Sequence, residues 1–294
     1  MEEIRVNVNN CTLKVRQHQN SGEAVIFLHF GGGNLVMWDG VVPFFIQDFH
    51  VILVDLRGHG KSDRPADGYH MDAMASDVIA VLDALEVEKA HIVGSSLGAE
   101  VGLSMAANYP HRVHSLVCEG ALFNEFGPYG LWNGTEEEFF AHAEETLKGI
   151  REREEKPFPS LDALAEESRL FFGERGWWSD IFEAVVRYDA ICREDGLFVK
   201  SWDRIAEAYT HRYLFYDFSE YYPRVECPLM MMPDVYPGQD DREKEIMAGF
   251  FKLVKRGRIT AVPEWIHPFG WMVTPESGAR AVLDFIADVQ SGVI

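Results

Sequence analysis

Cysteine is scarce in this chain: Cys11, Cys118, Cys192 and Cys227 are the four among 294 residues. None forms a CxxC pair, and the spacings fit neither a zinc site nor a disulfide framework, so scaffolding by metal or disulfide is not the organising principle. Cys118 and Cys227 lie beside apolar residues and read as core positions. Positive charge is also in short supply, with 27 Lys and Arg against 47 Asp and Glu, a net charge of −20. Such a surface repels phosphate backbones and anionic headgroups, which argues against nucleic-acid and membrane-surface roles. Solubility is a sufficient account of the charge itself. No apolar run has membrane-spanning length. The opening MEEIRVNVNN lacks the basic start and apolar stretch of a secretion signal, so a cytoplasmic location is expected. Repeats and low-complexity segments are missing as well.

What is present is a large apolar fraction, 47%, enough for a sizeable core. Residues 4–8 and 12–16 alternate apolar and polar, as strands of an edge hairpin do. Near-continuous apolar runs follow at 24–30, 50–56, 90–94 and 113–118, the pattern of strands buried on both faces. Helical spacing is seen over 72–85 and over 97–109, the latter stopped by Pro110. This alternation predicts an α/β fold with a parallel sheet and right-handed crossovers. From 122 to 224 the rhythm changes to helical stretches and charge clusters with no clear strand, and more than half of the aromatic residues gather there. A strand at 228–232, a helix over 242–255, a strand at 258–262 and a helix over 275–289 then complete the alternation. The chain therefore divides into an α/β core, 1–121 with 225–294, and a helical lid inserted at 122–224.

The chemistry centres on Gly94-x-Ser96-x-Gly98, which follows the apolar run at 90–94 and opens the helix at 97. A serine exposed on a sharp strand-to-helix turn needs tiny neighbours, because side chains there would strike adjacent backbone. Ser96 is the expected nucleophile; Ser95 does not fit the glycine spacing. The helix start also aims its N–H groups at a forming oxyanion. Two such donors are needed. Leu97 supplies one, and Gly31 in the loop His29-Phe30-Gly31-Gly32-Gly33 supplies the other. The loop is not a phosphate cradle, since it has no GxGxxG and no following Lys-Ser/Thr. His29 reads as a loop support. The base should be a late histidine, and His267, after the strand 258–262, holds that place. For the acid that orients it, Asp234 at the end of the strand 228–232 leads. Glu119, closing the strand 113–118, is the rival, and Asp240 or Asp241 are further alternatives that also read as helix caps.

With these residues placed, the chain resembles the α/β-hydrolase superfamily in its lidded branch of esterases, epoxide hydrolases, dehalogenases and carbon–carbon-bond hydrolases. Four motifs carry the resemblance: His29–Gly32 with Trp38 downstream, Asp55-Leu-Arg-Gly-His-Gly-Lys-Ser62, Gly94–Gly98, and His267 followed by Pro275-Glu276. It covers both ends of the chain and not the lid. It implies a mostly parallel eight-stranded sheet with helices on both faces. It also implies a serine hydrolase that cleaves a carboxylic ester, thioester or lactone of a small, partly apolar substrate through an acyl-enzyme, with no metal or organic cofactor. The family's Asp55–Ser62 turn is mostly structural. Two departures stand out: Phe30 sits where the family usually has Gly, and residues 233–241 do not align with the family's Gly-x-x-Asp. Serine rather than aspartate at 96 argues against epoxide hydrolase and haloalkane dehalogenase chemistry. A carbon–carbon-bond hydrolase or lyase using the same triad, and a hydrolase-like small-molecule receptor, are the competing readings. The residues do not decide between a monomer and a homo-oligomer.

Overall fold

A computed structural model gives the fold and describes residues 1–202, 205–234 and 241–294. The alternating N-terminal segments form a hairpin, β1 (Glu2–Val8) and β2 (Cys11–His18), paired antiparallel with Val8 opposite Cys11. Its inward residues Val6, Val8, Leu13 and Val15 are buried. The apolar runs become β3 (Ala24–Leu28), β4 (His50–Val54), β5 (Ala90–Ser95) and β6 (Val113–Glu119), joined by α1 (Met71–Ala84) and α2 (Leu97–Asn108). Next come α3 (Glu136–Arg151), α4 (Leu161–Gly173), α5 (Asp180–Asp189), β7 (Ile191–Cys192), β8 (Phe198–Val199) and α6 (Ala206–Tyr213). The chain ends with β9 (Leu229–Met231), α7 (Asp241–Phe251), β10 (Gly257–Ile259), α8 (Gly270–Val273) and α9 (Pro275–Gln290).

Eight strands form one sheet in the order β1-β2-β4-β3-β5-β6-β9-β10. The hairpin is antiparallel and the pairs from β4 to β10 are parallel. Strand alternation splits the core in two. Ile26, Leu28, Ile52 and Ile92 pack with α1 and α2 on one face, while Val25, Phe27, Leu53 and Val93 pack with α9 on the other. The stretch 122–224 is not strand-free as expected: β7 and β8 form a two-residue antiparallel pair. So short a ladder leaves no period-2 pattern to read. The strand expected at 258–262 stops at Ile259, which is exposed on the sheet's edge. Within 122–224, Phe139, Ala143, Leu147 and Leu214 make a small cluster of their own, while Phe182 and Val185 join the α9-side core.

The Asp55–Ser62 turn is a hydrogen-bonding hub. The Asp55 carboxyl accepts from Leu35 N at 2.7 Å, Lys61 N at 2.9 Å and the Tyr188 hydroxyl at 3.0 Å, and the Ser62 hydroxyl donates to the Asp55 carbonyl at 2.6 Å. Gly60 has φ 50°, and a Cβ there would lie 2.2 Å from Asp55 Oδ2. Two residues after Asp55, Arg57 grips Asp77 of α1 through two bonds of 2.6 and 2.8 Å, both side chains being buried. Removing one member of such a pair strands a buried charge. Asp77→Ala should therefore cost about 3–5 kcal/mol of stability. Urea unfolding should show a lower midpoint with an unchanged slope.

Candidate active site

The parallel strands β3, β5, β6 and β9 all end on one edge of the sheet, and ligands in open α/β sheets bind outside that edge. Ser96 sits there between β5 and α2 with φ 51° and ψ −116°, a conformation a non-glycine residue adopts only when its surroundings enforce it. Several contacts enforce it. Ser96 N donates to the Glu119 carbonyl at 2.5 Å, and its own carbonyl accepts from Ala99 N at 2.7 Å and Glu100 N at 3.0 Å. The glycine spacing has the expected cause. A Cβ on Gly94 would lie 2.4 Å from the Gly98 oxygen, and one on Gly98 would lie 2.1 Å from the Leu28 oxygen. The close approach of Gly98 to the end of β3 brings the start of α2, with Leu97, against the loop that contains Gly31.

His267 lies in the segment between β10 and α8, and it borders the same cavity as Ser96. The two meet at Gly120, where a Cβ would lie 2.7 Å from Ser96 Cα and 3.3 Å from His267 Cε1. Gly120 has φ 111°, which together with this crowding restricts the position to glycine. The ring's Nδ1 hydrogen-bonds Glu119 Oε1. Glu119 is 1% exposed, and its carboxylate also accepts from the Ser95 hydroxyl at 2.5 Å, Trp265 Nε1 at 3.3 Å and Trp271 Nε1 at 3.1 Å. A buried carboxylate needs such an array of donors to stay in place. Burial works against a proton on His267. The charge and hydrogen bond of Glu119, with Asp234 beyond, outweigh it and hold the ring above its ordinary pKa.

Asp234 does not meet the imidazole ring in the way the sequence suggested. Its Oδ1 accepts from the backbone N–H of His267 at 2.6 Å, so it holds the loop, and Glu119 holds the ring. The reason is topological. β6 lies between β5 and β9, which sets the end of β6 directly beside Ser96. Asp241 is 92% exposed at the start of α7 and pairs with Lys244, whereas Asp240 lies outside the described residues. Ser95 is fully buried and donates to Glu119. His29 is a strut: its Nδ1 contacts the Phe30 carbonyl at 2.8 Å and its Nε2 accepts from Leu56 N at 3.0 Å, and burial pushes its pKa down to about 4.

The cavity shared by Ser96 and His267 has a volume of about 220 Å³. Leu122, Phe123, Leu131, Phe218 and Met232 give it apolar walls, and Tyr213, Asp234 and Glu100 add polar points. The indole of Trp202 covers the glycine loop, so a Cβ on Gly31 would lie 3.0 Å from it and one on Gly32 would lie 3.3 Å away. A second cavity of about 200 Å³, lined by Phe30, Phe172, Phe182, Trp202 and Phe269 among others, adjoins the same loop. Four residues at the site escaped the sequence reading. Gly120 is one. The donors Trp265 and Trp271 flank His267 in the sequence, which was a legible hint. Glu100 is the fourth: it is the lone charged residue in the small and apolar run from Leu97 to Ala107, one helical turn after Ser96.

Comparison with known proteins agrees with this architecture. The alpha/beta hydrolase fold family model matches residues 23–153. The 2-(acetamidomethylene)succinate hydrolase of Mesorhizobium japonicum is 35% identical over 125 residues, covering 42% of this chain and 43% of that protein. The 2-hydroxy-6-oxononadienedioate/2-hydroxy-6-oxononatrienedioate hydrolase of Comamonas testosteroni is 34% identical over 185 residues, covering 61% of this chain and 58% of that one. A crystal structure of E-2-(acetamidomethylene)succinate hydrolase superimposes with a TM-score of 0.73 at 25% identity, covering 97% of this chain and 99% of that one. The chain spans 30% to 58% of the length of curated relatives that it matches. With strand order and matched residues in agreement, the chain has the α/β-hydrolase fold.

Proposed function

We propose that the chain is a serine hydrolase that cleaves a carboxylic ester, thioester or lactone of a small, partly apolar substrate through an acyl-enzyme on Ser96. The observation that carries this reading is the strained Ser96 turn sharing one cavity with an imidazole whose far nitrogen is held by a buried carboxylate. With Nδ1–H donating to Glu119, Nε2 is left as the acceptor for the Ser96 proton. His267 takes that proton as the hydroxyl attacks, returns it to the leaving group, and then activates water to release the acid. The N–H groups of Gly31 and Leu97 receive the oxyanion. Glu119, rather than Asp234, orients the base and stabilises the imidazolium. Residues 122–224 act as the lid, and their aromatic side chains receive the apolar part of the substrate. Hydrolases of named small molecules among the similar proteins favour hydrolysis over a purely binding role.

A fluorophosphonate probe should label the purified protein at Ser96, located by mass spectrometry of the modified peptide. No label, or label on Ser95 alone, would remove the assignment. A screen against esters of graded acyl length, a thioester and a lactone should show steady multiple turnover on at least one. A single slow turnover coupled to a lid change would instead identify a receptor.

A further inference from the structure

One buried group has no part in the chemistry above. Glu100 projects from α2 one turn after Ser96 and is 2% exposed, yet its side chain borders the cavity that holds Ser96 and His267. Oε1 accepts the Tyr209 hydroxyl at 2.7 Å, while Oε2 has no hydrogen-bond partner among the described residues. A buried polar atom left unpaired calls for a partner, and the adjoining cavity is where a ligand can supply one.

We propose that Glu100 determines specificity: its carboxylic acid donates a hydrogen bond to an uncharged oxygen acceptor, a ketone, ether or hydroxyl, carried by the substrate about one helical turn (~5–6 Å) from the carbonyl that Ser96 attacks. The inference rests on the ester-hydrolase reading. Burial pushes the Glu100 pKa up to about 8, against the smaller opposing effects of Tyr209 and His267. Near neutral pH the group is therefore an acid. Because Tyr209 already donates to Oε1, the proton belongs on Oε2, the unpaired atom. The groups facing Glu100 electrostatically are Tyr209, Tyr213, Tyr216, Glu125, His267 and Cys118. None carries a fixed positive charge that would keep it ionised. The described lining of the cavity contains Asp234 and no Lys or Arg, so apart from the Ser96 and Tyr213 hydroxyls the polar side chains a substrate carboxylate would meet are carboxyl groups and the imidazole. An uncharged acceptor fits both the donor and this charge pattern.

The test compares 4-nitrophenyl esters of hexanoate, 4-oxohexanoate, 5-oxohexanoate and adipate (as its monoester). In the unmodified protein the better oxo ester should exceed hexanoate in kcat/KM by about tenfold, and the adipate ester should fall below hexanoate. The oxo preference should decline as pH rises through about 8, where Glu100 loses its proton. Glu100→Gln keeps a donor that cannot ionise, so the preference should persist and its pH dependence should vanish. Glu100→Leu should bring the ratio close to one. A ratio that rises with pH, a preference for adipate, or a ratio unmoved by Glu100→Leu would overturn the inference. A binding arm separates it from the function itself. In Ser96→Ala protein, calorimetry with N-butyl amides of the same acids should show the same oxo preference, lost in Ser96→Ala/Glu100→Leu. Retained binding preference without turnover of any ester sinks the hydrolase reading alone. Ester turnover with equal amide affinities sinks the Glu100 assignment alone.

Discussion

Ser96→Ala should lower kcat by about 10⁶ on whichever ester the purified protein turns over. The size of the effect follows from how the site divides its work. In the proposed mechanism no acyl-enzyme forms without the hydroxyl, so His267 and Glu119 would have no proton to manage and their contribution would disappear with the nucleophile. The two proposed N–H donors and the cavity would survive, and they alone should leave a residual advantage of roughly 10³–10⁴ over water. The backbone strain at residue 96 is imposed by the Ser96–Glu119 bond and by the close packing of Gly94 and Gly98, none of which involves the hydroxyl. The alanine protein should thus fold normally, with an unchanged urea midpoint and no fluorophosphonate label. Single-turnover kinetics on a chromogenic ester measures the loss; activity within tenfold of the original would assign the chemistry to another residue.

The central strands were readable because burial on both faces demands runs such as 50–54 and 90–93, each apolar but for one histidine. The sharp turn at Ser96 with its two glycines was readable because it obeys a local steric rule, now visible as glycine Cβ positions that would strike backbone. The partner of His267 was not readable in the same way. Glu119 ends β6 and Asp234 follows β9 on the same edge of the sheet, and 148 and 33 residues respectively separate them from His267 along the chain. What favours Glu119 is the set of donors around it, from residues 95, 265 and 271, which meet only after the sheet has formed. Glu100 is a similar case. Its charge in an apolar helix marked it as unusual, but only the folded cavity shows what it borders.

Glu119→Gln should cost about 10⁴ in kcat, whereas Asp234→Asn should cost about tenfold or less. An amide at 119 presents one acceptor oxygen in place of a charged carboxylate that serves four donors, so the ring loses both its enforced tautomer and the charge that stabilises its protonated form. An amide at 234 keeps a carbonyl oxygen for the backbone N–H of His267, so the loop stays tethered. The two variants also differ in their pH profiles. As the proposed base His267 would act only when neutral, so kcat/KM should rise with pH through its pKa, which Glu119 holds above the ordinary histidine value. Removing the charge at 119 should move that acid limb to lower pH even as the maximum collapses. Removing the charge at 234 should move the limb slightly in the same direction with the maximum nearly preserved, because Asp234 has the lesser influence on the ring. Should Asp234→Asn prove the more damaging change, with the larger shift of the limb, the orienting role would pass to Asp234 and the Glu119 contact would be structural.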